Sequence, residues 1–404
     1  MLRRVKVVMV MYVRDEEDIL EANLRAHLAL GVDQFLIIDH RSADSTPEIL
    51  ERYERAGFAE ATHNDSESFQ HMESEWRTSL ARRAVSDHGA DWVIHADADE
   101  FWWPLAGDLK AALARVPDSY PALLAPRVEY VPRPDGPESF TERMRVRERF
   151  SRVNPSVAHR GHPDVEVQSG AHSVTVPGAQ GPPHVGRASL RATENRFAGS
   201  NRWSPTAPVW TMRVLHFPVR SAEQFGRRVE LALFATGRKA DRHRAQKMLE
   251  VHEHGRLGEL FAQLAYDDEK VAKGIAAEEL VDDPRLAELL ARCPDFAAEP
   301  GSLAGFEPVA ADTDHAGDLA ELAQDAMQTT WRTLAMAEMR AQRERERAER
   351  LRVRGERKAE RLARKRERVE RRLAATRGTA WWRLGQALAR VPGLGRLMPP
   401  RSPR

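Results

Sequence analysis

Four times within its first hundred residues the chain runs through a short apolar stretch and then a polar turn. Three segments of helical periodicity separate these runs. VKVVMVMY (5–12) is rich in β-branched residues and barely alternates, the pattern of a strand covered on both faces. EDILEANLRAHLALG (17–31) follows at helical spacing, with Ile19 or Leu20, then Leu24, then His27 or Leu28, and stops at Gly31. QFLIID (34–39) is a second apolar run. SADSTPEILERYERAG (42–57) then offers cap residues, Pro47 near a helix start and Gly57 as a stop. FAEAT (58–62), HMESEWRTSLARRAVSDHG (71–89) and DWVIHA (91–96) continue the rhythm as strand, helix and strand. Parallel neighbours need a helical crossover, so the alternation predicts an α/β fold on a doubly wound, mainly parallel sheet. Ligands of such sheets gather at the carboxyl ends of the strands. The Arg14–Glu17 turn, Asp39, Asp97 and Asp99 all fall there.

The fourth strand runs into IHADADEF (94–101), which sets Asp97, Asp99 and Glu100 within four positions. Two carboxylates separated by one residue share a strand face, because the side-chain period is two. At a strand end both can reach one hard cation. Mg²⁺ and Mn²⁺ favour such oxygen ligands, often with substrate phosphates completing the shell. A solvated acidic turn is the bland alternative. Asp39, Ser42, Asp44 and Thr46 make a second polar turn, suited to hydrogen-bonding a nucleoside or to capping the following helix. Trp102 and Trp103, beside the acids, suit either stacking on a ligand ring or core packing.

Downstream the pattern loosens. Residues 130–210 are rich in Pro, Gly, His and Arg, with short strands expected at 171–176 and 209–217. A helix is expected at 221–237, helical structure over 240–297, a linker at 301–317 and one long charged helix from Asp318 to Ala375. The net charge of +1 hides an asymmetry. Residues 340–404 hold 22 Lys and Arg against 7 Asp and Glu, a surplus of +15 that leaves the rest of the chain at −14. Glu and Arg alternate at three- and four-residue spacings there, as in a solvated helix, and apolar residues are too sparse for a strong coiled coil. Nucleic-acid binding is not expected, because no reading or stacking motif accompanies the charge. In TAWWRLGQALARV (379–391), Trp381, Leu384, Leu388 and Val391 line one face, open either to an anionic membrane or to the protein's own body. The lone Cys293 excludes an internal disulfide and points to a reducing, cytoplasmic setting, with peripheral contact at the inner membrane face if the tail binds lipid. No apolar run reaches the 18 residues or so of a membrane span.

The motifs in order, VRDEED, LALGVDQFLIID, DHRSADST and DADEF, followed by VLHFPVRSAEQFGRRV (214–229), resemble the glycosyltransferase family 2-like proteins of GT-A fold. Within these they are similar to the branch with Arg-Asn-Glu and Asp-x-Asp-Glu-Phe motifs. The resemblance covers residues 5–235 or so and implies a glycosyltransferase domain over 1–237. Residues 238–300 would then be a helical subregion and 376–404 a basic amphipathic tail. It implies transfer of a sugar from a nucleotide-sugar donor to an acceptor hydroxyl, on a cell-envelope or surface glycan or a lipid-linked acceptor. Asp97 and Asp99 would hold Mn²⁺ or Mg²⁺ on the donor diphosphate, with His216 or His172 as a further ligand. Arg14, Asp15, Glu16, Asp39, Ser42 and Asp44 would line the donor. Asp15 departs from the branch's Asn, losing an amide donor and adding charge. An inverting transfer needs a base, for which Glu100, Glu166 and Asp164 are the candidates. His159 and His162, in AHRGHPD, read as a surface loop, with contact to acceptor or phosphate as the alternative. A metal-dependent phosphohydrolase is the alternative enzyme, but its Asp-x-Asp normally follows the first strand. A non-catalytic nucleic-acid- or membrane-binding adaptor is the alternative outside enzymes.

Overall fold

The structure is a computed structural model. It describes residues 5–66, 69–105, 107–118, 121–149, 152–168, 170, 173–176, 187–189, 212–235, 250–294, 296, 309, 347, 349–376, 380–388 and 390. The chain divides into two units, residues 1–331 and 332–404.

The first unit opens with β1 (Val7–Val13), α1 (Leu20–Ala29), β2 (Gln34–Asp39), α2 (Thr46–Arg55), β3 (Ala59–His63), α3 (Phe69–Ser86) and β4 (Trp92–Ala96). β5 (Glu100–Pro104), α4 (Leu109–Ala114), β6 (Ala122–Glu129), α5 (Phe140–Arg143), β7 (Val146–Glu148) and β8 (Arg152–Arg160) follow. Then come β9 (Glu166–Val167), β10 (Ser173–Thr175), β11 (Arg187–Ser189), β12 (Met212–His216) and α6 (Ala222–Ala235). Further described elements of the unit are a helical stretch at 250–253, α7 (Leu257–Leu264), α8 (Asp268–Ala276), β13 (Leu280–Asp282) and α9 (Arg285–Arg292).

Eight strands form one sheet in the order β3-β2-β1-β4-β8-β6-β12-β5. β3, β2, β1 and β4 are mutually parallel, as their helical crossovers require. The other half is mixed: β8 is antiparallel to β4 and β6, β12 is parallel to β6, and β5 is antiparallel to β12. The α/β class with a parallel-dominated sheet is therefore as expected, with antiparallel strands added on one side. Between β1 and β4 the order reverses, and this is the crevice where ligands of such sheets bind. β5 starts four residues after β4 ends, a reach of at most about 15 Å at about 3.8 Å per residue. In a flat sheet four strand spacings would set them about 19 Å apart. The sheet must curl, and the curl brings the acid-bearing turn back over the strand ends.

Both faces of the parallel half are covered. Val7, Met9, Met11 and Val13 of β1, with Phe35 and Ile37 of β2, pack in a core shared with α1, α2, α4 and α9. Val8, Val10, Leu36 and Ile38 face the other way, onto Leu80, Ala81 and Ala84 of α3. That explains why the strands read as unbroken apolar runs. Trp102 and Trp103 are 0% and 2% exposed and belong to the first core, so they pack rather than stack on a sugar. Gly31 (φ +103°) and Gly57 (φ +81°) end α1 and α2 in the left-handed region that glycine enters without strain.

Several expectations need correction. Helical structure over 240–297 is broken by β13, which pairs antiparallel with β7 and buries Leu280 against Val131 and Val146. His159 is not in a surface loop: it is fully buried on β8, its Nε2 3.1 Å from His95 Nε2. Val309, inside the stretch read as a linker, donates its N–H to Ala29 O at 2.8 Å and packs on the core. Within 318–375, residues 349–375 are helical, and most of 318–348 lies outside the described residues.

In the second unit, residues 349–376 form one helix, α10, exposed all round, with ion pairs such as Arg352–Glu356 and Arg366–Glu370 along it. α11 (Ala380–Leu388) follows. No described helix is long and apolar enough to cross a membrane.

Candidate active site

The turns after β1 and β2 are locked together by reciprocal hydrogen bonds. Asp15 N–H donates to Ser42 Oγ (2.9 Å), and Ala43 N–H donates to Asp15 Oδ1 (2.7 Å). Glu16 N–H donates to Thr46 Oγ1 (2.9 Å) and Glu17 N–H to Asp44 Oδ2 (3.1 Å). Ser45 N–H returns a bond to Glu17 Oε2 (3.0 Å). Ser42 and Thr46 thus serve the neighbouring turn, while Asp44 does both: its Oδ2 takes Glu17 N–H and its Oδ1 accepts from Thr46 N–H at 3.0 Å, at the first residue of α2, as the capping reading expects. Asp15 has φ +53°, a left-handed position where Asn and Asp are enriched. Its side chain acts as an acceptor, a role the amide oxygen of Asn would fill equally. The departure from Asn therefore removes no bond this turn uses.

Asp39 closes β2, its Oδ2 2.7 Å from His63 Nδ1 and its Oδ1 accepting from Ser42 N–H at 3.3 Å. Beside it, Tyr12 stacks on Trp76 with ring centroids 5.8 Å apart, and His40 packs against both rings. Arg14 is half-buried, with Nε 3.6 Å from Asp15 Oδ2.

The acid-bearing stretch is a turn, closed by Glu100 N–H to Asp97 O (3.0 Å). Each of its carbonyls has a donor. Buried Asn23 of α1 gives its Nδ2 to both Ala98 O and Glu100 O at 2.9 Å, and Phe217 N–H bonds Asp99 O at 2.9 Å. His27 Nε2 accepts from Trp102 N–H at 2.9 Å, while its Nδ1 bonds Asn23 Oδ1 at 2.7 Å. Helix α1 thereby fixes the loop's shape.

Because 97–99 is a turn, its side chains do not alternate as they would in a strand, and the two aspartates engage different partners. Asp97 accepts from Arg77 of α3 at 2.6 Å, and Arg77 is itself held by Glu73 at 3.0 Å. Asp99 is buried, with Arg228 of α6 at 2.8 Å and His216 Nε2 at 3.4 Å. The sheet supplies the rest: His216 lies in register with Glu100 of β5 on one side and Glu129 of β6 on the other. Glu129 Oε2 is 2.6 Å from His216 Nδ1. Glu100 Oε1 accepts from Ser156 Oγ (2.9 Å) and Arg127 (3.1 Å). Across the crevice, buried Arg220 grips Glu16 (2.6 Å) and Asp18 (2.7 Å), joining the β1 turn to the segment after β12.

These contacts set the charges. Burial opposes the His216 charge, but Asp99 and Glu129 outweigh it and raise its pKa to about 9. Burial would raise Asp99, yet His216 and Arg228 hold it well below the usual carboxylate range. Burial lifts Glu16 to about 7 against the pull of Arg220, and burial with Asp97 nearby raises Glu100. The corner is an ionised carboxylate facing an imidazolium and a guanidinium.

Among the described residues, no group of three or more His, Cys, Asp or Glu is arranged to hold a metal ion. A metal shell built from Asp97, Asp99 and His216 is thus not preformed, and His172 lies outside the described residues. A two-donor corner is present. Glu129 occupies His216 Nδ1, the arrangement that orients a metal-binding imidazole through its other nitrogen, and Nε2 faces Asp99. Asp97 is 46% exposed in the same loop. One nitrogen and carboxylate oxygens fit Mn²⁺ or Mg²⁺, which complete their shells with water and phosphate. Asp164 and Glu166 are exposed, on the stretch that packs on α3 through Val165 and Val167, outside the Asp97–Asp99 hydrogen-bond network. Sequence reasoning missed Asn23, Arg77, Glu129 and Arg228. Arg220 and Arg228 both lie in the quoted VLHFPVRSAEQFGRRV element, the one signal that could have found them.

No family model and no curated protein matches the chain. Solved structures similar to parts of it include S. aureus TarS 1–349 in complex with UDP-GlcNAc, at 16% identity and a TM-score of 0.26, covering 39% of this chain and 46% of that one. TarS 1–349 in complex with UDP is 13% identical with a TM-score of 0.29, covering 62% and 72%. Glucosyl-3-phosphoglycerate synthase from Mycobacterium tuberculosis, in complex with Mn²⁺, UDP and phosphoglyceric acid, is 21% identical with a TM-score of 0.18, covering 24% and 34%. The chain thus spans about half of the first of these and a third of the last. Such scores transfer no ligand or activity, so the reading rests on this chain's own geometry.

Proposed function

We propose that the chain is a metal-dependent glycosyltransferase that moves a sugar from a nucleotide-sugar donor to an acceptor hydroxyl. One observation carries the reading: the Asp99–His216–Glu129 row joins the carboxyl ends of β4, β12 and β6, and Arg220, four residues beyond His216, ties it to Glu16 after β1, on the edge of the sheet where α/β folds bind ligands. Asp99, His216 and Asp97 would hold Mn²⁺ or Mg²⁺, which would neutralise charge on the leaving diphosphate. Asp39 and the Tyr12–Trp76–His40 cluster offer a carboxylate and planar walls to a nucleoside. Arg14 and the Asp15–Glu16 turn border the donor, with Ser42 and Asp44 holding that turn in shape. Glu100, buried and bonded to Ser156 and Arg127, acts as a positioning residue for the acidic loop. Glu166 and Asp164, both exposed, are the candidates for the base that takes the acceptor proton, and the acceptor would be a glycan or lipid-linked hydroxyl. The setting proposed is cytoplasmic.

The test is a thermal-shift series with UDP, GDP and dTDP, each with and without Mn²⁺. Wild type is expected to be stabilised by at least one nucleotide only when the metal is present. Asp99→Asn is expected to lose that shift while unfolding as cooperatively as wild type. No metal-dependent shift with any nucleotide sinks the proposal.

A further inference from the structure

In α11 the side chains of Trp381, Leu384 and Leu388 are 81%, 52% and 46% exposed. Their spacing of three and four residues puts them on one face of the helix. Arg383 is two residues from Trp381, about 200° around at about 100° per residue, on the far side. The surrounding charge has one sign. From Arg371 to the end the sequence carries 8 arginines and no Asp, Glu or Lys. Just before it, α10 is polar on every side and held by pairs such as Arg352–Glu356, with its few apolar residues scattered and exposed. That is a solvated rod about 42 Å long at about 1.5 Å per residue, without an apolar seam of its own.

We infer that α11, with its own Arg383 and the flanking Arg371, Arg372 and Arg390, forms an in-plane anchor for the surface of an anionic phospholipid bilayer. Trp381, Leu384 and Leu388 would enter the headgroup–acyl boundary, and the arginines would meet the lipid phosphates. Two features favour lipid over other occupants. Nucleic-acid binders set aromatic and basic side chains on the same surface so that bases stack while phosphates are neutralised. In α11 the apolar and cationic faces are opposed, as an interface between oil and charged headgroups demands. Self-association through a coiled coil needs an apolar seam sustained over several heptads, and α11 is 9 residues long. The inference is independent of the proposed chemistry, since the anchor lies in the other unit of the chain.

The experiment uses the full chain and sedimentation with large unilamellar vesicles of phosphatidylcholine alone or with phosphatidylglycerol at 3:1. Wild type is expected to partition at least tenfold more strongly onto the phosphatidylglycerol vesicles and to come off as salt is raised. The triple variant Trp381→Ser, Leu384→Ser, Leu388→Ser is expected to lose at least tenfold of that partitioning. Arg383→Gln with Arg390→Gln is expected to lose the lipid selectivity while keeping weak binding to both vesicle types. Equal binding to both vesicles by wild type overturns the anchor. So does an unchanged triple variant, because charge alone would then account for the binding. So does no vesicle binding, or binding to a DNA duplex that outcompetes the vesicles.

Discussion

Asn23→Ala should destabilise the first unit by about 4 kcal/mol, because two buried carbonyls depend on that one amide. Asn23 is fully buried on α1, and its Nδ2 serves Ala98 O and Glu100 O, both at 2.9 Å. Leaving a buried acceptor without a donor costs about 1–3 kcal/mol, so two cost about 2–6. His27 Nδ1 keeps the Asn23 backbone carbonyl at 2.9 Å and adds little to the loss. Total stabilities near 5–15 kcal/mol make such a loss large but survivable. The assay is urea unfolding followed by tryptophan fluorescence, for which buried Trp92, Trp102 and Trp103 are the reporters. The control is Asn23→Asp, which keeps the volume but turns a carboxylate toward both carbonyls. Hydrogen bonding predicts that Asn23→Asp is at least as damaging as Asn23→Ala. If Asn23→Asp unfolds within about 1 kcal/mol of wild type, the residue acts through volume and the reasoning is refuted.

Arg228→Gln removes the guanidinium from Asp99 and is expected to tighten Mn²⁺ binding several-fold in the absence of nucleotide, read by electron paramagnetic resonance; unchanged or weaker binding contradicts the idea that Arg228 stands in for the cation. Arg220→Ala should cost about 3 kcal/mol by urea unfolding, since it leaves Glu16 and Asp18 without their buried partner; the lower end of the range applies because both acids are partly exposed. Two buried histidines should cost stability as pH drops from 6.5 toward 4. Burial depresses His27 to about 3 and His159 to about 4, so these stay neutral when folded and take up protons only on unfolding. Each contributes a slope of about 1.4 kcal/mol per pH unit. Glu16, raised to about 7, and Glu100, also raised, contribute with the opposite sign. The check is therefore that His27→Gln and His159→Gln each make the acid-side dependence shallower, and an unchanged slope contradicts the assignment. His216 has the opposite sign. Its pKa is raised to about 9, so its contribution is full below 6.5 and disappears as pH rises through 9, visible as a weakening of the fold on the alkaline side.

The sequence alone determined the parallel half of the sheet. Unbroken apolar runs, helical periodicity and glycine stops are local signals, and the chain obeys them from Val7 to Ala96 because β1, β2 and β4 are buried on both faces, while the edge strand β3 is buried only at Ala59. The same logic placed Asp39, Asp97 and Asp99 at strand ends. What lay beyond local pattern was which groups meet there. Asp97 turns to Arg77 and Asp99 to Arg228 and His216, because the acids sit in a hydrogen-bonded turn where alternation no longer holds. Glu129 finds His216 across 87 residues, and Arg220 finds Glu16 across 204. These contacts follow from the register of β5, β12 and β6 in a sheet that curls back on itself. The sequence determined where a ligand would be met, and only the tertiary structure decided which side chains meet it, since long-range register has no signature in any single segment.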